Sequence, residues 1–137
     1  MFYYYCVDRY VDDYVSANGN GSLKGGKEFT IPGTFCIGDG TNAAGTLTRW
    51  VRDTFYEEEL KKERAGGENA YAVMAREAAE VEAGSEGLII LPYIYGERSP
   101  IQDAKASGML FGLKGTHTRK QINRAALEAV GYSTLQH

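Results

Sequence analysis

Gly108-Met109-Leu110-Phe111-Gly112-Leu113, the link Lys114-Gly115-Thr116-His117, and then Thr118-Arg119-Lys120-Gln121-Ile122-Asn123-Arg124-Ala125-Ala126-Leu127-Glu128 form the stretch on which the fold is read. Met109 to Leu113 is a short apolar run bracketed by Gly108 and Gly112, the pattern of a strand between turns. Thr118 and Gln121 stand at capping-box spacing. The Thr118 hydroxyl is expected to accept from the Gln121 backbone N–H, and the Gln121 side chain to reach back to Thr118. Loss of Thr118 would cost about 1 kcal/mol. Ile122, Ala126, Ala129, Val130 and Ser133 then make one small apolar helix face, suited to close packing on a sheet. The segment is scaffold, with no nucleophile and no base in it.

Working outward, Gly87-Leu88-Ile89-Ile90-Leu91-Pro92 is a compact apolar run of strand length, which predicts a strand buried on both faces. Tyr93 to Ser107 has no period and reads as a long ordered loop. Asn69 to Val81 is an alanine-rich helix, ending near Gly84. Leu47, Trp50, Val51, Thr54 and Phe55 recur at helical spacing, and Arg49, Arg52, Asp53 and Glu57 occupy the other face. Glu57 to Gly67 reads as a solvated helix end. Met1 to Val15 and Glu28 to Ile37 are strand-like, separated by a loop at Ser16 to Lys27, and Gly38 to Asn42 is expected to break the second strand. The order predicts a mixed α/β class.

The 137 residues suffice for one domain with its own core. A net charge of −3, with both signs interspersed, argues against a nucleic-acid-binding face. No window approaches a membrane span, and the N-terminus lacks the pattern of a secretory signal. Cys6 and Cys36 are read as buried free thiols of a reducing compartment; their strands could be neighbours, which leaves a disulfide open. His117 and His137 have no second ligand at metal spacing, so no metal site is assigned. No Gly-Lys-Ser cradle is present, which excludes a P-loop.

Four collinear stretches carry a resemblance. Gly108-x-Leu110-x-Gly112-Leu113, seven residues, then Gln121-Ile122-x-x-Ala125-Ala126-Leu127-Glu128 resembles the C-terminal signature of the FGGY carbohydrate kinases. Leu91-Pro92-Tyr93-Ile94-Tyr95-Gly96-Glu97-Arg98-Ser99-Pro100 resembles that family's Leu-Pro-Tyr-x-x-Gly-Glu-Arg-Thr-Pro loop, and Asp103 to Gly108 its Asp-Pro-x-Ala-Arg-Gly run. Ala44-Gly45-Thr46-Leu47-Thr48-Arg49-Trp50-Val51-Arg52-Asp53 resembles its Ala-Gly-x-x-x-x-Trp-Leu-Arg-Asp helix.

The resemblance implies a partial actin-like ATPase lobe of ribonuclease-H-like topology, a mixed sheet with packed helices. Residues 1–137 would be a single incomplete domain, the central part of the C-terminal, nucleotide-binding lobe. It implies ATP and Mg²⁺ as cofactors of the parent, a small sugar or polyol as acceptor, an N-terminal lobe supplying the catalytic Asp, and a cytoplasmic location. The family's phosphate turn would precede Met1, and its adenosine loop would follow His137. No catalytic residue is assigned within the chain, and oligomeric state stays open.

By the same resemblance Gly45 and Arg49 approach the nucleotide. Gly45 lets a backbone or phosphate come close, and Arg49, one turn along, offers a fork of donors. The plainer readings are tight helix packing for Gly45 and a solvated surface Arg for Arg49. The helix start near Thr41 and Asn42 is expected to present free N–H groups. Asp39 is read as a cap or turn residue, or as a group near the metal and phosphates. Glu97 and Arg98 are read as an ion pair or loop anchor, and Trp50 as core. A stand-alone interaction module with the same fold and no catalysis is the alternative, and an actin-like phosphatase or ATPase a third.

Overall fold

A computed structural model of the chain describes residues 2–8, 27–28, 34–40, 42, 44–97, 101 and 103–135. The chain forms two compact units, Met1–Gly40 and Thr41–His137.

In the first unit, β1 (Phe2–Asp8), β2 (Lys27–Glu28) and β3 (Thr34–Gly40) make an antiparallel sheet in the order β1-β3-β2. Cys6 falls opposite Cys36 in the register, so their strands are neighbours. Strand β3 runs through Gly38, Asp39 and Gly40, with Asp39 opposite Tyr3. The expected break after Ile37 is therefore corrected: pairing along β1 satisfies this backbone in extended form, against the turn preference of Gly-Asp-Gly. The Ser16 to Lys27 excursion falls, except for Lys27, outside the described residues.

The second unit holds α1 (Ala44–Phe55), α2 (Glu57–Arg64), α3 (Ala70–Ala79), β4 (Ile89–Leu91), β5 (Met109–Phe111) and α4 (Arg119–Leu135). Helix α4 packs on α1, α3 and β4. Its core face is Ala125, Ala126 and Ala129, meeting Leu47, Val51, Tyr56, Met74, Leu88 and Ile90. The sequence predicted a small apolar face packing on a sheet; α4 does pack on β4, and it packs on α1 and α3 as well. Asn123 was not foreseen on that face. It is buried, and its Nδ2 donates to the Met74 carbonyl at 2.7 Å, tying α4 to α3.

The α4 cap differs from expectation by one residue. Gln121 Oε1 accepts from the Thr118 N–H at 2.9 Å and from its hydroxyl at 2.8 Å, the reach-back half of the box. The Thr118 oxygen accepts from Lys120 N–H at 3.3 Å, not from Gln121. His117 closes the preceding turn, its Nδ1 accepting from Lys114 N–H at 3.2 Å.

The charged run, read as a solvated helix end, is over Glu57 to Arg64 a helix separate from α1. Tyr56 breaks the path with φ −127° and ψ 32°. Its ring is fully buried and its hydroxyl donates to Glu77 Oε2 at 2.9 Å. Asn69 caps α3 by accepting from Tyr71 and Ala72 N–H, a contribution of about 1 kcal/mol.

Strand β4 pairs antiparallel with β5. Only Ile90 of β4 is buried, while Ile89 and Leu91 are exposed. The expectation of burial on both faces is thus corrected: helix α4 covers one face alone. The cross-strand pairs Ile89–Phe111 and Leu91–Met109 share the uncovered face, and all four side chains are exposed.

Before β4 the chain makes a left-handed turn, with φ of 90°, 48°, 56° and 88° at Gly84, Ser85, Glu86 and Gly87. Left-handed geometry costs a non-glycine residue about 1 kcal/mol. Glu128 of α4 holds the turn by accepting from Gly84 N–H and the Ser85 hydroxyl, both at 2.9 Å. Lys114 Nζ donates to the Glu86 carbonyl at 3.0 Å.

Candidate functional site on the first helix

Leu47 and Val51, four residues apart, are both fully buried and fix the rotation of α1. Gly45 and Arg49, also four apart, therefore share the opposite, exposed face. A Cβ built on Gly45 would meet no atom within 4 Å. Tight packing does not account for this glycine, although glycine inside a helix costs about 1 kcal/mol relative to alanine. The Gly45 carbonyl accepts from the Thr48 hydroxyl at 3.0 Å. Arg49 has no hydrogen-bond or ion-pair partner among the described residues, whereas its neighbour Arg52 is engaged by Asp53 at 2.6 Å. A backbone open to close approach thus stands beside a guanidinium with free donors. That combination suits an anionic ligand, since a bidentate guanidinium contact is among the stronger polar interactions a protein makes.

At the helix start one N–H expected to be free, that of Asn42, is engaged. Asn42 N–H donates to Glu97 Oε1 at 3.0 Å, and Glu97 is only 2% exposed. Glu97 is therefore a loop anchor, one of the two roles read for it; Arg98 lies outside the described residues. Thr41 also lies outside them. Asp39 belongs to β3 in the other unit and is neither a cap nor a turn residue. Of the four residues expected at the nucleotide, the structure brings Gly45 and Arg49 together on one face.

Among the described residues no three His, Cys, Asp or Glu side chains gather where they could hold a metal. A Mg²⁺ carried on nucleotide phosphates needs few protein ligands, so Gly45 and Arg49 are compatible with a metal–nucleotide that brings its own coordination.

A charged cluster missed by the sequence reading supports α1 from below. Arg119 lies 4.3 Å over the Tyr56 ring and bonds both Glu77 oxygens, at 2.6 and 3.1 Å, and both Glu59 oxygens, each at 3.1 Å. It also donates to the Phe55 carbonyl at 3.4 Å, the last of α1. Hydrogen bonding to Arg119 holds the Glu59 carboxyl below its usual range. Burial pushes Glu77 upward, but its bonds from Arg119 and Tyr56 outweigh this and leave it lowered. Burial, then the bond to Glu77, raises the Tyr56 phenol far above its usual value. The cluster is structural: Arg119 is saturated by carboxylates and has nothing to offer a ligand.

Residues 13–137 match the FGGY family of carbohydrate kinases, C-terminal domain. The chain belongs to this family. It is 38% identical over 97 residues to the gluconokinase of Bacillus subtilis, covering 71% of this chain and 19% of that protein. It is 36% identical over 105 residues to the xylulose kinase of Lactococcus lactis, covering 76% and 19%. The crystal structure of xylulose kinase from Rhodospirillum rubrum superimposes with a TM-score of 0.64 at 35% identity, again over 76% of this chain and 19% of the other. This FGGY chain therefore spans about a fifth of the length of the relatives it matches. Its helices and small sheets are part of an actin-like, ribonuclease-H-like lobe, as the motifs implied. Among the described residues no helix is long and apolar enough to cross a membrane.

Proposed function

We propose that this chain supplies the nucleotide side of the cleft in an ATP-dependent carbohydrate kinase, as the central part of the C-terminal lobe. The observation that carries the reading is the exposed, unobstructed Gly45 beside Arg49, which has no partner among the described residues. Arg49 meets phosphate oxygens of ATP, while Gly45 allows the nucleotide to lie against the helix backbone. The reaction is in-line transfer of the γ-phosphoryl group to a sugar hydroxyl, with Mg²⁺ neutralising phosphate charge. The hydroxyl proton goes to a carboxylate of the partner lobe. Relatives named gluconokinase and xylulose kinase support a sugar acid or ketopentose as acceptor. Such chemistry depends on two lobes that orient both substrates and exclude water, so the 137-residue chain alone is expected to be inactive. A cytoplasmic location follows from the same reading. A stand-alone interaction module would account for the fold but leaves the glycine without a reason.

Calorimetric titration with Mg·ATP tests the reading. Binding is expected to weaken about 10-fold in Arg49→Ala, the loss of one charge-assisted contact. Equal affinity of wild type and variant would remove Arg49 from the site. Sugar phosphorylation by the purified chain would contradict the two-lobe requirement.

A further inference from the structure

The loop that follows β4 is braced against itself. Glu97 N–H donates to the Asp103 carbonyl at 2.8 Å, the two residues forming an antiparallel bridge. Asp103 Oδ1 in turn accepts from Lys105 N–H at 2.8 Å. Gly96, at φ 73°, lies so near Ala104 that a Cβ would sit 2.6 Å from its carbonyl oxygen. From this bridge the buried Glu97 carboxylate reaches Asn42, 55 residues earlier in the chain. Asn42 is held on both sides: its N–H donates to Glu97, and its carbonyl accepts from the Thr46 hydroxyl at 2.9 Å. Helix α1 has no acidic residue in its own first turn. Glu97 supplies the negative charge that the positive end of a helix favours.

We propose that Glu97 is a positioning residue for the nucleotide face of α1. It fixes the turn entering the helix and thereby sets Gly45, three residues on, and Arg49, one turn further. The inference rests on the nucleotide reading above.

The test has two arms. Amide hydrogen exchange on Glu97→Ala is expected to accelerate about 10-fold at Asn42 and Thr46 to Thr48, the loss of one net hydrogen bond, while the amides of Asn123 to Val130 stay unchanged. Glu97→Gln retains an acceptor oxygen and should restore exchange to within about 3-fold of wild type. In the second arm, Mg·ATP affinity should fall about 10-fold in Glu97→Ala and recover in Glu97→Gln. Unchanged exchange in Glu97→Ala overturns the proposal, as does unchanged ATP affinity with exchange accelerated. Equal damage in the Gln variant overturns it too. A wild-type chain with no affinity for ATP overturns the nucleotide reading and the functional half of this one, and the exchange arm then still decides whether Glu97 orders α1. Should Glu97→Ala fail to fold, Glu97→Asp, one methylene short of Asn42, carries the comparison with Glu97→Gln.

Discussion

The guanidinium of Arg119 lies 4.3 Å from the centre of the Tyr56 ring, at the break between α1 and α2. The same group bonds Glu77 of α3, Glu59 of α2 and the Phe55 carbonyl of α1, so one side chain of α4 joins it to the other three α-helices described. Arg119→Met keeps the apolar stem over Tyr56 but leaves two largely covered carboxylates without their cation. It is expected to destabilise the fold by about 2 kcal/mol. Arg119→Lys should recover less than half of that, because an ammonium cannot grip two carboxylates at once. Urea unfolding followed by circular dichroism measures both.

Acid should act through the same carboxylates. Arg119 lowers Glu59. In Glu77 and Glu128 burial raises the carboxyl, but hydrogen bonds outweigh it and lower the net value. Folded values below the unfolded one mean stability that is fully present above about pH 4.3 and drains away as pH falls through the lower folded values. The melting temperature is expected to be steady from neutrality to about pH 5 and to fall below about pH 4.3. Glu77→Gln should start lower at neutral pH and decline less steeply in acid. A steep decline retained in that variant would place the sensitivity elsewhere.

How much of this was legible in the sequence depends on range. The β5–α4 segment was legible, except for the donor to the Thr118 oxygen, because a cap and a helical period are local signals. Gln121 does reach back to Thr118, and Ala126 and Ala129 do face the core. Arg119 looked like an ordinary first-turn residue, since its partners lie 42 and 60 positions away. Glu59 was lost in a run of charges for the same reason. Tyr56 directly follows Phe55, and nothing in the helical spacing marks the break there. The motif pointed to Gly45 and Arg49, but that Gly45 faces open space is a property of the folded surface. Glu97 was read as half of an ion pair or as a loop anchor; what it holds, Asn42, needed coordinates.

Two glycines should answer substitution with opposite signs. Gly45→Ala adds a methyl in open space on a helix and is expected to stabilise the chain by about 1 kcal/mol. The same methyl should reduce Mg·ATP affinity, which separates function from packing. Gly112→Ala, at φ 79°, would place its Cβ 2.3 Å from the Gly87 carbonyl oxygen. That change should cost about 2 kcal/mol or more. Thermal unfolding of the two variants side by side checks both signs.

The turn before β4 depends on Glu128. Glu128→Ala removes the acceptor for Gly84 and Ser85 and is expected to cost about 2 kcal/mol. Glu86→Gly relieves one left-handed residue, at the loss of an exposed bond from Gln121, and should gain about 0.5 kcal/mol. Chemical denaturation resolves a difference of that size, and a loss in Glu86→Gly would show that the turn is not strained.

The uncovered side of the β4–β5 pair gives the chain a handling property. Ile89, Leu91, Met109 and Phe111 form a greasy stripe in which Met109 is 47% exposed. Ammonium sulfate should bring the chain out of solution early, and phenyl resin should retain it. The thioether in the stripe is also open to peroxide. Oxidation to the sulfoxide would wet the stripe at one end, so a preparation aged in air should elute sooner from phenyl resin than a fresh one.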